Sequence, residues 1–277
     1  MTQVVSVIIP ASNEGQYIGA CLKAVLASSP LPRHTMEVLV VANGCNDDTV
    51  AVAHRFTDAA EQRGWSLHVL DLPAGNKIKA LNAGDHCATG YIRVYLDADV
   101  IVSPDVLADL TDALASGKPL YGSGTPRIPA PASWLTTQYA RFWQRLPFAR
   151  SKAAGFGLFA VNAAGRQRWD QFPDIISDDT FVRLQFAPHE RVQVGATYEW
   201  PMAEGLARLV RVRRRQDQGL AQLAALFPDL MQNDDKPRPD VWALLKADPV
   251  GFGVYAVISA LVRLTRSRDR TGWARGR

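Results

Sequence analysis

Two aspartates two residues apart, Asp97 and Asp99, are the side chains of this sequence best suited to hold a metal ion. They follow an apolar run at residues 91–96, so they stand at a turn where both carboxylates can converge on one divalent cation. Carboxylate oxygens suit Mg²⁺ or Mn²⁺, and such a metal can take phosphate oxygens and neutralise a diphosphate leaving group. The alternative interpretation is a solvated turn with a helix cap near Pro104.

The elements that must position this turn alternate between strands and helices. Short apolar runs at residues 4–10, 37–42, 66–72 and 91–96 predict buried strands, with helices between them. Apolar rather than alternating strands are typical of a parallel sheet covered on both faces. Ligands of such sheets bind beyond the carboxyl ends of the strands. We therefore expect the chemistry at this edge of the sheet, where carboxylates follow three strands and Lys77 follows another.

Composition restricts the class of protein. The 277 residues are 47% apolar and 21% charged, which excludes a mainly disordered chain, a collagen-like fibre and a coiled coil. Three cysteines without CxxC spacing argue against a disulfide framework or a structural zinc site, and favour a reducing, cytoplasmic compartment. Neither a signal peptide nor an apolar stretch of about 18 residues is visible. The net charge of +4 comes from local clusters and no nucleic-acid motif accompanies it, so we expect no nucleic-acid partner.

Six segments of residues 4–186 stand in an order known from one enzyme family. They are VSVIIPASNEGQYIGACLKAVLAS, VLVVANGCNDDT, NKIKALNAG, YLDADV, AGFGLFAVN and SDDTFVRLQF. On these motifs the chain resembles the family 2 glycosyltransferases of the GT-A fold. The resemblance implies an α/β fold with a mostly parallel, Rossmann-like sheet flanked by helices. It also implies a nucleotide-diphosphate sugar donor, with a UDP-sugar favoured, and Mg²⁺ or Mn²⁺ as the cofactor.

The predicted organisation is one catalytic domain followed by an extension. The domain covers residues 1–219, with a nucleotide-sugar-binding half at 1–103 and an acceptor half at 104–219. Residues 220–277 form a C-terminal helical extension with a basic tail.

The resemblance also assigns roles to individual residues. Asp99 matches the metal ligand, and Asp97 matches a carboxylate near the ribose that we also count as a metal ligand. Asn43 falls where the family usually has an aspartate that reads the base, so the identity of the donor base stays open. The full set of expected donor-binding residues is Pro10, Ala11, Glu14, Asn43, Lys77, Asp97, Ala98 and Asp99.

Asp178 and Asp179 match the acidic pair of the family, in which the second acid is the catalytic base. A sugar hydroxyl that attacks an anomeric carbon needs a carboxylate to accept its proton, and a single displacement inverts the configuration. Asp178 would accept a hydrogen bond or position the substrate. The alternative is that these acids only cap the helix expected at residues 177–186.

Two further side chains are candidates for the acceptor or the diphosphate. Arg215 is all that remains of the Gln-x-x-Arg-Trp motif of processive members, which argues against a processive polysaccharide synthase. Arg215 would contact the diphosphate or an anionic acceptor, or lie on a solvated helix face. Trp143 belongs to an aromatic-rich segment that would form either an acceptor platform or part of the core.

The end of the chain combines an apolar helix with arginines. Residues 250–264 are apolar apart from Ser259 and Arg263, and five more arginines and Trp273 follow. A helix of this length is too short to cross a bilayer, but it could lie on an anionic membrane surface. The alternatives are a helix docked on the domain and a dimer contact. Membrane contact through residues 250–277 would favour a lipid-linked over a soluble carbohydrate acceptor, with the protein peripheral at the inner face of the membrane.

These observations together predict a metal-dependent, inverting glycosyltransferase that moves one sugar to an acceptor hydroxyl. A catalytically inactive sugar-nucleotide-binding or scaffold protein is the main alternative. A sugar nucleotidyltransferase is disfavoured, because residues 10–14 are not the glycine-rich, arginine-bearing loop that it requires.

Overall fold

A twisted sheet lies at the centre of the computed structural model, which describes residues 3–31, 33–235 and 239–265. Within this part of the chain the sheet has eight strands in the order β3-β2-β1-β4-β7-β6-β8-β5. The strands are β1 Gln3–Ala11, β2 His34–Asn43, β3 Ser66–Leu72, β4 Ile92–Leu96, β5 Ile101–Val102, β6 Tyr121–Arg127, β7 Leu158–Asn162 and β8 Arg191–Glu199.

The first four strands run parallel, as the apolar runs predict. Pro10 stands opposite Val41, so β1 and β2 end side by side. The second half of the sheet is mixed. Strand β7 runs antiparallel to β4 and β6, and β8 runs parallel to β6 and antiparallel to β5. The carboxyl ends of β1, β2 and β4 therefore form one edge, where chemistry is expected.

Helices cover both faces of the sheet. They are α1 Gly15–Leu26, α2 Thr49–His54, α3 Thr57–Gln62, α4 Lys77–Cys87, α5 Val106–Ala113, α6 Trp134–Trp143, α7 Ala163–Arg166, α8 Asp178–Leu184, α9 Leu206–Leu226, α10 Val241–Ala247 and α11 Pro249–Leu264. Side chains of β1 alternate between the two faces: Val7 and Ile9 pack with α1 and α5, and Ile8 packs with α4 and α8.

One predicted helix is divided. The sequence predicts a single helix from Thr49 to about Gln62, whereas α2 ends at His54 and α3 begins at Thr57. The turn between them places the half-buried ring of Phe56 against the core.

Helix α9 runs without a break through residues 219 and 220, where the sequence analysis begins the extension. Together with α6 and α11 it encloses a third apolar cluster that includes Phe142, Ile258 and Val262. The basic tail from residue 266 onward lies outside the described residues. Among the helices that the structure describes, none combines the length and apolar character that a membrane crossing requires.

Two ionic contacts attach the C-terminal segments to the domain. Arg191 is fully buried and Arg183 nearly so, and both guanidinium groups bind one carboxylate oxygen of Asp235 at 2.7 and 2.6 Å. Arg141 of α6 holds Asp248, which in turn accepts the backbone N–H of Gly251 and so caps the start of α11. These contacts fix the loop after α9 and the first turn of α11.

Candidate functional site

A cleft of about 430 Å³ opens at the carboxyl ends of β1, β2 and β4. Its walls include all but one of the site residues predicted from the sequence. Those that line it are Pro10, Glu14, Asn43, Lys77, Asp97, Ala98, Asp99, Trp143, Asp178, Asp179 and Arg215. The exception is Ala11, which is 1% exposed and is not among the lining residues.

The turn that carries Asp97 and Asp99 is held by backbone contacts. The N–H of Asp97 donates to the carbonyl of Gly157 at 2.8 Å, and the N–H of Val100 donates to the carbonyl of Asp97 at 3.1 Å. Gly157 has φ +68°, and a Cβ there would lie 2.7 Å from the ring of Trp200. Only glycine fits this position without strain. The backbone thus presents both carboxylates to the cleft from a defined turn.

Lys77 connects the two acidic motifs. It is the first residue of α4, and Asn76 caps that helix by accepting the N–H of Lys79. The Lys77 Nζ atom lies 3.1 Å from Asp97 Oδ1 and 3.2 Å from Asp178 Oδ2. Although burial works against it, the carboxylates of Asp178 and Asp97 hold the pKa of Lys77 above its ordinary value. A permanent cation therefore stands between the acids.

The acidic pair opens α8, and its members face different surroundings. Asp178 is 5% exposed and makes the ion pair with Lys77, so it does not act as the helix cap. Asp179 Oδ1 accepts the backbone N–H of Thr180 at 2.6 Å. Burial, followed by repulsion from Asp178, raises the pKa of Asp179 to about 6, and Lys77 opposes this rise. A carboxyl group with such a pKa can accept a proton near neutral pH.

Asn43, the departure from the family pattern, has a fixed orientation. Its Nδ2 donates to the carbonyl of Ala11 at 2.8 Å. Because that carbonyl can only accept, the amide oxygen must point the other way. Asn43 is 2% exposed, and within the described chain its Oδ1 has no hydrogen-bond partner. The site thus holds an unsatisfied acceptor beside the cleft.

The loop that follows β1 is attached to the loop that follows β2. Asn13 adopts φ +53°, and its Oδ1 accepts the N–H of Asn46 at 2.6 Å. The N–H of Glu14 donates to Thr49 Oγ1 at 2.8 Å. These bonds satisfy backbone and side-chain groups at the start of α1 and place Glu14 on the cleft wall.

Aromatic side chains form the opposite wall. Trp143 is 5% exposed, and its ring lies 5.1 Å from that of Phe156 and 5.5 Å from that of Trp200. It lines the cleft and packs in the third apolar cluster. Its packing in the core is thus observed, and its role as an acceptor platform stays a prediction.

Helix α9 brings arginines to the same wall. Arg208, Arg213 and Arg215 line the cleft. Arg213 is held by Asp217 at 2.9 Å and by the hydroxyl of Tyr255 at 2.6 Å. The cleft therefore has carboxylates on the sheet side and guanidinium groups on the α9 side.

A side groove of about 210 Å³ adjoins the cleft. Tyr17, Met202 and Arg208 line both cavities, and Pro129 and Pro131 complete an apolar wall. No role is predicted for these residues from the sequence. Two patterns in the sequence mark this region: the basic cluster at residues 208–215 and the prolines at residues 126–131. Neither pattern indicates that these residues line a common cavity.

Within residues 3–31, 33–235 and 239–265, no group of three or more His, Cys, Asp or Glu side chains is arranged to bind a metal ion without further ligands. The carboxylates of Asp97 and Asp99 nevertheless line the cleft. This donor set fits Mg²⁺ or Mn²⁺, because such ions commonly combine one or two protein carboxylates with water and substrate phosphates.

Comparison with solved structures identifies the fold. The mannosyltransferase PcManGT of Pyrobaculum calidifontis, solved with GDP-Man and Mn²⁺, superposes with a TM-score of 0.62 at 20% identity, over 98% of this chain and 77% of that chain. Glucosyl-3-phosphoglycerate synthase of Mycobacterium tuberculosis, solved with Mn²⁺, UDP and glucosyl-3-phosphoglycerate, gives 0.52 at 21% identity, over 80% and 79%. Both are GT-A glycosyltransferases, so the predicted fold is confirmed.

Curated relatives match over shorter stretches. Glycosyltransferase AglE of Haloferax volcanii is 40% identical over 95 residues, which is 34% of this chain and 30% of the relative. An undecaprenyl-phosphate 4-deoxy-4-formamido-L-arabinose transferase of Enterobacter sp. is 28% identical over 143 residues, which is 51% and 42%. The chain thus spans less than half the length of these relatives.

The sequence also matches a family model over more than half of its length. This model, described as glycosyl transferase family 2, covers residues 6–171. The match includes the loops after β1, β2 and β4 that form the sheet side of the cleft. The chain belongs to glycosyltransferase family 2.

Proposed function

We propose that this protein is a glycosyltransferase that transfers a single sugar from a nucleotide-diphosphate donor to an acceptor hydroxyl, with inversion and with a divalent metal. The observation that carries the proposal is that Asp179 shares a cleft with the Asp97–Asp99 turn, and that Lys77 joins the two acidic motifs. Burial raises the pKa of Asp179 to about 6, which supports its role as a base.

The reaction would be one displacement. The acceptor oxygen attacks the anomeric carbon while the bond from that carbon to the diphosphate breaks, and the nucleoside diphosphate leaves with the electron pair. Asp179 accepts the hydroxyl proton. Asp178 stays ion-paired to Lys77 and holds it between the two motifs. One base and one displacement give the inverted product.

Asp99, with Asp97, would hold Mg²⁺ or Mn²⁺. When bound, such a metal neutralises charge on the diphosphate leaving group. Support comes from the two carboxylates on the cleft wall and from the Mn²⁺ in the structures of the two neighbours described above. Lys77 contributes a fixed positive charge beside the same position.

Donor-base recognition would involve Asn43. Its unsatisfied Oδ1 can accept one N–H, and the ring N–H groups of uracil and guanine are suitable donors. A UDP-sugar is favoured by the family resemblance. The solved neighbours hold UDP in one case and GDP-Man in the other, and both bases suit such an acceptor.

The acceptor would occupy the α9 side of the cleft. Guanidinium groups there suit an anionic acceptor, and the proline-lined groove suits an apolar or carbohydrate portion of it. A lipid-linked acceptor fits both features, and one relative is named for undecaprenyl phosphate. Such an acceptor would place the protein in the cytoplasm at the inner face of a membrane.

Thermal unfolding with a panel of nucleotides tests this proposal. UDP, GDP, dTDP, ADP and CDP are added with and without Mn²⁺, to the wild type, Asp99→Ala and the control Asp112→Ala, an exposed aspartate on α5. A ligand at about 100 times its dissociation constant stabilises by about 2.7 kcal/mol. We expect a metal-dependent shift with one nucleotide that Asp99→Ala loses and Asp112→Ala keeps.

The matching sugar nucleotide then allows transfer to be measured. Binding without any transfer or donor hydrolysis would support the inactive scaffold instead. No shift with any nucleotide would contradict a donor site at this cleft.

A further inference from the structure

The last helix presents an apolar stripe to solvent. Its exposed positions recur every three or four residues, so they lie along one side of a helix about 24 Å long. The apolar positions of this stripe are Val250, Gly253, Val257, Ala260 and Leu264; Pro249, Ala256 and Arg263 are exposed on the helix as well. Val257 is 58% exposed and Leu264 is 79% exposed. Folding of the described chain leaves this stripe uncovered.

The opposite side of α11 fixes its orientation. Ile258 and Val262 are buried against α6 and α9, and the ring of Tyr255 stacks 5.5 Å from that of Tyr139. The cap by Asp248 anchors the first turn. Rotation of α11 to hide the stripe would expose these buried side chains, so the outward stripe belongs to the folded state.

Helix α10, which directly precedes α11, carries further exposed apolar side chains. Its first residues, Val241 and Trp242, are 52% and 73% exposed. Five of the nine large apolar side chains that are exposed in the described chain lie on these two helices. We call this surface, Val241 and Trp242 with the stripe of α11, the α10–α11 face. Isolated exposed apolar residues are ordinary, but a cluster of this kind indicates an interaction surface.

The two helices also carry exposed charged side chains. Lys246 and Arg263 are exposed on them, and Asp240 is exposed at the cap of α10. In the sequence, Arg266, Arg268 and Arg270 follow α11 directly, with Trp273 after them. An apolar helix face accompanied by basic residues suits the boundary between acyl chains and anionic headgroups.

We propose that the α10–α11 face docks on the surface of an anionic lipid bilayer. The apolar side chains would enter the acyl boundary while Lys246 and the arginines contact headgroup phosphates. Helix α11 lies in the interface plane in this arrangement and does not cross the membrane.

Docking in this orientation has a consequence for the cleft. Tyr255 of α11 touches Tyr139 and Arg213, which line the α9 side of the cleft. Packed helices lie about 8–10 Å apart, so one helix layer would separate the bilayer from the acceptor wall. The identification of this wall as the acceptor wall rests on the proposed function, whereas the docking of the α10–α11 face does not.

Co-sedimentation of the full chain with vesicles tests the proposal. Vesicles of phosphatidylcholine alone are compared with vesicles that contain about one third phosphatidylglycerol. The variants are Val257→Glu and Trp242→Glu, both at exposed positions, so a polar side chain disturbs no core. Leu226→Glu is the matched control, since Leu226 is 57% exposed and lies about 18 Å along α9 from Arg214, which contacts α11.

We expect the wild type and Leu226→Glu to bind the anionic vesicles, with weaker binding to neutral vesicles and at high salt. Each face variant should reduce the partition coefficient at least tenfold while melting at the wild-type temperature. Equal binding of all variants would overturn the proposal, because the basic tail alone would then suffice. A change of oligomeric state in the face variants with unchanged vesicle binding would also overturn it, in favour of a second copy as the occupant.

This assay needs neither donor nor metal. If the wild-type protein binds anionic vesicles but transfers no sugar, that result counts against the proposed function and not against the docking.

Discussion

Replacing Lys77 with methionine removes the cation that joins the two acidic motifs and keeps most of the side-chain volume. Its Nζ atom lies 3.1 and 3.2 Å from carboxylate oxygens of Asp97 and Asp178. Without it, Asp178, whose side chain is 6% exposed, loses its ion pair. Asp179 loses the nearby positive charge that opposes the rise of its pKa. The ionised form of the base is therefore disfavoured in Lys77→Met.

The size of this effect follows from the position of the charge. A cation within about 4–6 Å lowers a carboxyl pKa by about 1–3 units. Lys77 is paired directly with Asp178 and acts on Asp179 only as a neighbour. We therefore expect its loss to raise the pKa of Asp179 by about one unit, the lower end of this range. The pKa of Asp179 would then move from about 6 to about 7. At pH 6 the ionised fraction falls from about one half to about one tenth, and at pH 8 it stays above about nine tenths.

The assay is the pH dependence of kcat/KM with the donor identified by thermal shift. Activity of the wild type should rise with pH through about 6, the pKa of its base. In Lys77→Met the ratio of activity at pH 6 to activity at pH 8 should fall about fivefold further. The ratio separates this effect from any loss of donor binding, which reduces activity at both pH values. Lys79→Met, an exposed lysine on the same helix, is the control.

Thermal stability gives a second measurement that needs no substrate. A carboxyl group whose pKa is raised by folding stabilises the folded state at low pH, and this contribution is lost as the pH rises through the raised value. A further rise of the Asp179 pKa by about one unit lowers the free energy of unfolding by about 1.4 kcal/mol above pH 7 and by almost nothing at pH 5. Lys77→Met should thus be destabilised more at pH 8 than at pH 5. An unchanged activity ratio together with equal destabilisation at both pH values would refute this reasoning.

Three further predictions concern single substitutions. Asp179→Asn removes the proposed base, so transfer should fall at least about a hundredfold while the nucleotide-induced melting shift persists; loss of that shift would indicate a role in donor binding. Asp235→Asn leaves the buried Arg191 without its carboxylate and Arg183 with only Asp234, at 3.6 Å, and should destabilise by about 3 kcal/mol in a denaturant titration, whereas the exposed Asp229→Asn should change little. Gly157→Ala places a Cβ against Trp200 at a positive φ, so its melting temperature and metal-dependent nucleotide binding should both fall; wild-type values for both would exclude strain at this turn.

Local patterns account for the elements that the sequence predicts best. Strands β1 and β2 are continuous apolar runs, and such runs are buried on both faces of a parallel sheet. The sequence offers a helix face for Arg215 and a helical extension from residue 220, but it does not predict the extent of α9, because arginines at residues 208–215 interrupt the apolar spacing. The turn between α2 and α3 lies where Phe56 packs against the core, and the local sequence does not contain that information.

In the candidate site, too, the local sequence predicts which residues meet but not the contacts between them. The order of the strands predicts that Asn43, Lys77 and Asp97 meet at one edge, because each follows a strand or begins a helix there. The ion pairs of Lys77 and the free amide oxygen of Asn43 depend on distances between segments far apart in the chain. Arg208 and Met202 reach the cleft only because α9 packs beside α6 and α11.

The anchor at Asp235 limits how this protein can be divided. Its carboxylate meets the guanidinium of Arg183, one turn after Asp179 in α8, and that of Arg191 at the start of β8. A truncation after residue 219 would remove the last third of α9 and take from both guanidinium groups the carboxylate that pairs with them. The C-terminal segment is therefore not a detachable targeting module. Chimaeras that exchange it between relatives must retain an acid at this position to keep the catalytic helix folded.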